Sequence, residues 1–278
     1  METVKLFLKG GVIGIANVIP GVSGGTMAVV LGIYEYLIEA IGNFFVNKTK
    51  RKEYFLFLLK VLCGTGAAIL IFSWVMDYLL TNYPVYTYLF FIGLILGSIP
   101  SIYKTHPDMK LNFASILTFM FGVALILVIF FLAPDRTETV EATEGVKAFD
   151  LPQALFLILS GFLSGGSMIM PGISGSFILV LLGQYHYIIR SVKNLELLPL
   201  IFLGIGIAIG IWSFAKMIDV LLKRNPKETF YFILGLVFAS LVPIFPGLPA
   251  GGLEKLIALF IAITAFILSY KLGDRPGK

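Results

Sequence analysis

The chain has 278 residues, of which 58% are hydrophobic and only 13% are charged. Soluble proteins of average composition carry roughly twice that share of charge. The composition therefore excludes an ordinary soluble domain and indicates an all-α polytopic membrane protein. The net charge of +5 is typical of cytoplasmic loops that contact anionic lipid headgroups, and it does not indicate a nucleic-acid partner.

Apolar stretches long enough to cross a bilayer follow one another along the chain, since about 20 apolar residues span a hydrocarbon core of roughly 30 Å. The predicted transmembrane helices are about 55–80, 85–103, 112–133, 198–222, 229–245 and 254–272. These six helices form two sets of three. An apolar segment broken by Pro-Gly precedes each set, at 10–44 and at 161–195. Pro-Gly cannot continue a regular helix. Each set therefore begins with a broken helix.

The two broken segments contain the same motif. Residues 20–26 read Pro-Gly-Val-Ser-Gly-Gly-Thr and residues 171–177 read Pro-Gly-Ile-Ser-Gly-Ser-Phe. Residues 10–44 align with 161–195 without a gap, and the identities there include Asn43/Asn194. The basic segment around 48–53 accounts for nine residues that the second half lacks, and beyond it the match continues to Asp77/Asp219. The sequence thus predicts one integral membrane domain, 1–278, built from two repeats at about 10–133 and 161–272.

Loop charge predicts the topology of these repeats. The basic segment 48–53 is expected in the cytoplasm, and the acidic linker 134–150 is expected outside the cell. For Lys5, Lys9 and the basic segment all to lie inside, the first broken segment must enter and leave on one face as a re-entrant hairpin. Three crossings follow, so the second repeat is inserted with inverted topology and both termini are cytoplasmic. Inverted repeats with broken helices are typical of transporters.

The hairpin tips are predicted to hold an anion. Ser23 and Ser174 suit the N-cap position, and the amide N–H groups at a helix start are free to bind an oxyanion. Small residues allow close approach to the backbone. The predicted phosphate-binding residues are Asn17, Gly21, Ser23, Gly24, Gly25, Thr26, Ser167, Gly172, Ser174, Gly175, Ser176 and Arg190. Glycine-rich packing of helices is the alternative explanation of these motifs.

Charged residues follow each tip. Glu35 and Glu39 come after the first, and His186 and Arg190 occupy the aligned positions after the second. In one continuous helix the two acids would stand about 15–22 Å from the helix start, near a membrane interface. They are either headgroup-level anchors or functional groups. In the functional alternative Arg190 attracts an anionic headgroup, and Glu35, Glu39 and His186 are candidates for proton coupling.

The sequence contains no metal-ligand cluster, nucleotide-binding loop or catalytic triad, so no metal, cofactor or enzymatic activity is predicted. Asp219 lies one turn after Lys216, which suggests a structural ion pair or helix-end contact. Cys63 is the chain's one cysteine and is expected to behave as a small hydrophobic residue.

With Asn17 three residues before the first motif, the doubled motif resembles the polyprenyl-phosphate transporter (PopT) family, formerly domain of unknown function 368. The resemblance covers nearly the whole chain. It implies a bacterial plasma-membrane flippase that returns undecaprenyl phosphate from the outer to the inner leaflet for cell-wall synthesis. The implied partners are that lipid and the bilayer, and a homo-oligomer is possible.

Two other functions remain open. A membrane phosphatase of undecaprenyl pyrophosphate also uses re-entrant hairpins and a Glu-x-x-x-Glu pair, which Glu35 and Glu39 match, but these tips lack the arginine that would hold a reacting phosphate. A transporter of small soluble anions is the other alternative.

Overall fold

A computed structural model describes residues 2–19, 22–104, 109–132 and 150–273. Within these ranges every regular element is a helix and there is no β-strand. The helices are α1 (Glu2–Val18), α2 (Gly24–Val30), α3 (Tyr34–Asn43), α4 (Arg51–Asn82), α5 (Pro84–Lys104), α6 (Phe113–Leu132), α7 (Leu151–Ile169), α8 (Gly175–Leu181), α9 (Tyr185–Lys193), α10 (Leu197–Arg224), α11 (Pro226–Ala239), α12 (Leu241–Ile244) and α13 (Gly252–Gly273). The predicted all-α fold is confirmed.

Six helical spans in the described ranges are long and apolar enough to cross a membrane, which confirms a multi-pass membrane protein. They are α4, α6, α7, α10, the α11–α12 pair and α13. A shorter apolar stretch, Pro84–Pro100, lies within α5. By length and composition α7 suits a crossing, although the sequence assigned it to a hairpin arm, so the re-entrant arrangement stays a prediction. The predicted helix 229–245 divides at Ser240 into α11 and α12.

The segment after each motif consists of two helices, whereas the sequence suggested one. A turn at Gly32, with φ of 64°, separates α2 from α3, and a turn at Gly183, with φ of 67°, separates α8 from α9. Glycine adopts this left-handed conformation without steric cost and commonly ends a helix. The single straight helix that was assumed for the distance of Glu35 and Glu39 from the motif was therefore wrong.

The helices pack in pairs that recur in both halves of the chain. α1 lies along α4 and α7 lies along α10. Both contacts are close: a Cβ atom on Gly10 would lie 2.2 Å from the Val61 carbonyl oxygen, and one on Gly161 would lie 2.3 Å from that of Leu203. The other two pairs join the halves, since α5 packs on α13 and α11 packs on α6. Every one of these pairings has a counterpart in the other half.

The main hydrophobic core surrounds the first motif. Met27 and Ala28 of α2 are fully buried and belong to the same cluster as Ile95 of α5, Ile169 of α7 and Leu236 of α11. These elements come from both halves of the chain. The packing therefore holds the start of α2 in the interior of the helix bundle.

Candidate functional site

The two motif segments lie against each other. The Gly172 amide donates a hydrogen bond to the Thr26 hydroxyl oxygen at 2.7 Å, and the Tyr34 hydroxyl donates to the Ile169 carbonyl oxygen at 3.0 Å. Thr26 is only 1% exposed. A Cβ atom on Gly25 would lie 3.3 Å from the Ile169 carbonyl oxygen, so α2 packs tightly on the end of α7. The repeated breaks thus form one continuous site region.

Ser23 and Ser174 occupy the N-cap positions of α2 and α8, but neither side chain makes a capping hydrogen bond. Instead, the Ser174 and Ser176 hydroxyl oxygens lie 2.8 Å apart. The first helical bonds run from the Met27 amide to the Ser23 carbonyl and from the Phe177 amide to the Ser174 carbonyl. The amides before them have no acceptor within their helices. Each helix has seven residues, so these individual N–H groups matter more than a helix dipole.

Asn17 provides a polar, exposed side chain beside the first helix start. A Cβ atom on Gly24 would lie 2.7 Å from the Asn17 Oδ1 atom, so the absence of a side chain at Gly24 makes room for the Asn17 amide. At the second start, a Cβ atom on Gly175 would lie 2.8 Å from both the Ser164 hydroxyl and Met168. Met168 occupies the position aligned with Asn17, so the second helix start lacks this amide side chain and has the Ser164 hydroxyl beside it instead.

Several predicted phosphate ligands already have protein partners. The Ser167 hydroxyl donates to the Ser164 carbonyl at 2.7 Å, and the Gly172 amide is bonded to Thr26. Both donors are therefore occupied in this conformation. Gly21 and the linker 134–150, apart from Asp150, lie outside the described residues.

The charged residues after the tips lie on α3 and α9. Glu39 accepts a hydrogen bond from the Tyr54 hydroxyl at 2.8 Å and has the Lys50 ammonium at 3.7 Å. Glu35 and Arg190 are exposed, in the first turn of α3 and the last turn of α9 respectively. His186 lies in α9. Because turns separate α3 and α9 from the short helices, the structure does not line these charges up behind the tips.

A polar contact between α3 and α10 was missed in the sequence. The Asn43 amide donates to the Asp219 carboxylate at 2.8 Å, and the Lys216 ammonium donates to the Asn43 side-chain oxygen at 2.6 Å. The ion-pair partner of Asp219 is Lys223, at 2.7 Å, and not Lys216 as the sequence suggested. The sequence feature that could have pointed to this contact is the presence of asparagine at the aligned positions 43 and 194 of the two repeats.

These features define the class of the protein. An all-helical, multi-pass membrane chain with two broken-helix motifs that meet inside the bundle has the architecture of a membrane transporter. In the described part of the chain, no three His, Cys, Asp or Glu side chains are grouped to hold a metal ion.

Comparison with known proteins identifies the family. A family model described as undecaprenyl phosphate translocase-like matches residues 13–251, and the chain belongs to this family. A "Polyprenyl-phosphate transporter" from Vibrio cholerae is 32% identical over 259 residues, covering 88% of this chain and 79% of the relative. One from Staphylococcus aureus is 31% identical over 279 residues, covering 96% and 94%. No solved structure matches the chain.

Proposed function

We infer that this protein is a flippase that moves undecaprenyl phosphate across the bacterial plasma membrane, from the outer to the inner leaflet, for reuse in cell-wall synthesis. Family membership and the names of the two relatives support a polyprenyl phosphate substrate. The observation that carries the site is the hydrogen bond between Thr26 and Gly172, because it brings both motifs together. The amides at the starts of α2 and α8, which have no acceptor within their own helices, suit a phosphate, while the polyprenyl tail stays in lipid.

Alternating access of two inverted repeats is the proposed mechanism. Each repeat contributes one re-entrant hairpin and three crossings. The loop charges support opposite insertion of the two halves, and the matching pairs α1–α4 and α7–α10 support a common repeat structure. Both termini lie in the cytoplasm in this arrangement. Small movements of one hairpin relative to the other would then expose the phosphate site to one leaflet at a time.

The charged residues after the tips have assigned roles in this proposal. Arg190, exposed on α9, attracts the phosphate headgroup at the outer mouth, since guanidinium and phosphate oxygens pair well. Glu35, Glu39 and His186 are the candidate proton carriers. The Glu39 carboxylate accepts a hydrogen bond from the Tyr54 hydroxyl and lies 3.7 Å from the Lys50 ammonium, so a proton bound there would change contacts with α4 and the loop before it.

A leaflet-resolved assay in proteoliposomes tests the proposal with Gly24→Ala. The added methyl group displaces the Asn17 amide from the helix start, and we expect transport of undecaprenyl phosphate to fall about tenfold through loss of that donor. Gly204→Ala is the matched control, because a Cβ atom there has no neighbour within 4 Å. Equal transport by both variants would refute the phosphate site at the tips.

The same vesicles separate the alternatives. Release of inorganic phosphate from undecaprenyl pyrophosphate would identify a phosphatase. Uptake of a soluble anion that undecaprenyl phosphate does not inhibit would identify an anion transporter. Transport that is unchanged by a proton gradient would remove the proton-carrying roles of Glu35, Glu39 and His186.

A further inference from the structure

The two hairpins differ in how they pack, although their sequences repeat. α3 of the first half lies along α10 of the second half, whereas α9, its counterpart, packs on α8 and α10 and has no comparable packing along α4 in the described chain. Burial shows the same difference. Five of the seven residues of α2 are buried, but only Gly175 and Leu179 of α8 are. One hairpin is closed onto the opposite half, and the other is not.

The closed contact between α3 and α10 is polar and desolvated. Asn43 is 8% exposed and Asp219 is 4% exposed, and they share the 2.8 Å hydrogen bond. Lys216, one turn before Asp219 on α10, donates a hydrogen bond to Asn43, and the Lys223 ammonium pairs with the Asp219 carboxylate. Gly42 allows this approach, because a Cβ atom on it would lie 2.9 Å from the Lys216 Cα atom.

The repeat supplies a second copy of the same pair on the opposite side. Asn194 aligns with Asn43 and Asp77 aligns with Asp219, each with the same residue type. The first pair joins the first-half hairpin to the second half, and the second pair would join the second-half hairpin to the first. Asn194 and Asp77 are both exposed here, and the Asn194 amide donates to Glu196 at 3.2 Å.

We propose that Asn43–Asp219 and Asn194–Asp77 are the two gates of the transport cycle, formed in turn, and that this structure has the first gate closed and the second open. This proposal rests on the inverted topology and alternating access of the proposed function. Loop charge places Lys50 and Lys223, beside the first gate, in the cytoplasm. The conformation therefore opens the site toward the outer leaflet, where the lipid phosphate would enter.

The second gate differs in its surroundings. Lys193 stands at the position aligned with Gly42, and Trp74 at the position aligned with Lys216. Trp74 is 84% exposed in this conformation. A lysine over an indole ring forms a favourable cation–π contact. The second gate thus closes with a wider helix separation and uses this contact in place of the one from Lys216 to Asn43.

Cysteine cross-linking tests the exchange of gates. In a Cys63→Ala background, K193C/W74C reports the second gate and leaves the Asn and Asp residues of both gates in place. A short bifunctional thiol reagent is used with no added lipid. K193C/L221C is the control pair, because most of α10, roughly 36 Å at 1.5 Å per residue, separates these positions. We expect slow cross-linking of the second-gate pair and none of the control pair.

Weakening the first gate should close the second. Asp219→Asn weakens a buried charge-assisted hydrogen bond, and we expect it to raise cross-linking of K193C/W74C about tenfold. Asn43→Ala should do the same if the Asp219 variant fails to fold. Cross-linking of the second-gate pair that is raised in neither variant would refute the gates.

Transport separates this outcome from the substrate assignment. Undecaprenyl phosphate, but not undecaprenol, should change the rate of cross-linking of K193C/W74C. Gate exchange whose rate changes with neither lipid would refute the proposed substrate but not the two proposed gates. Transport of undecaprenyl phosphate without gate exchange would refute the gates and leave the proposed function standing.

Discussion

Thr26 connects the two halves of the chain at the scale of a single hydrogen bond. Its hydroxyl accepts the Gly172 amide proton inside the packed core. Gly172 has φ of 84°, and a Cβ atom there would lie 2.8 Å from the Leu236 carbonyl oxygen. The second motif therefore has a backbone conformation that leaves this amide pointing at Thr26.

Thr26→Val tests that connection. The substitution keeps the shape of the side chain but leaves the Gly172 amide unpaired, which costs about 1–3 kcal/mol for a buried donor. We expect a lower free energy of unfolding in detergent. Thr26→Ser retains the hydroxyl and should recover most of the loss. Equal stability of the valine and serine variants would show that the hydrogen bond is unimportant.

Glu196 provides a pH-dependent contact at the end of α9. Hydrogen bonds from Asn194 and Ser191, with the nearby charge of Arg190, hold the pKa of Glu196 below its ordinary value. A lowered pKa means that the contact stabilises the folded turn above the ordinary pKa and is lost as the pH falls through the lowered one. The Glu196 amide, which donates to the Ser191 carbonyl at 2.8 Å, reports on this turn.

We expect the protection of that amide against hydrogen exchange to fall on acidification, after correction for intrinsic exchange rates. Glu196→Gln cannot titrate, so its protection should depend much less on pH. The same pH dependence in the glutamine variant would assign the effect to another group.

Helix–helix distance is the decisive quantity at the scale of elements. At Gly42 the backbone of α3 approaches Lys216 of α10 so closely that no side chain fits between them. Gly42→Ala should therefore push α3 away from α10 and cost about 1–3 kcal/mol through overpacking. Gly66→Ala on α4 is the matched control, because its Cβ atom would meet nothing within 4 Å. Thermal unfolding in detergent measures both variants, and equal melting temperatures would contradict the close contact.

Length and hydrophobicity allowed the long helices to be predicted, because crossing a bilayer requires a fixed number of apolar residues. The breaks at Gly32 and Gly183 could not be predicted in the same way. Glycine is common inside membrane helices, and its φ is set by packing that sequence does not show. The grouping of Asn17 with Gly24 was predictable from the motif, whereas the partners of Asn43 and Asp219 depend on contacts between halves.

The repeat governs the whole molecule, yet the two halves do not adopt the same conformation. The pairs α1–α4 and α7–α10 are alike, as are α5–α13 and α11–α6, so these helices form a frame with two equivalent halves. The segments after the motifs differ, because α3 packs along α10 whereas α9 has no comparable packing along α4 in the described chain. Alternation between two states requires that two halves with the same sequence pattern can adopt different conformations, as the two halves of this chain do.

The proposed inverted insertion predicts that the equivalent loops after α3 and α9 lie on opposite faces of the membrane. Single cysteines at Thr49 and Asn194, both exposed, test this in the Cys63→Ala background with a membrane-impermeant thiol reagent on intact cells. We expect N194C to react from outside, together with the reference D150C beside the acidic linker. T49C should react only after the cells are permeabilised. Labelling of T49C and N194C from the same face would rule out inverted repeats, and with them the assignment of one gate to each leaflet.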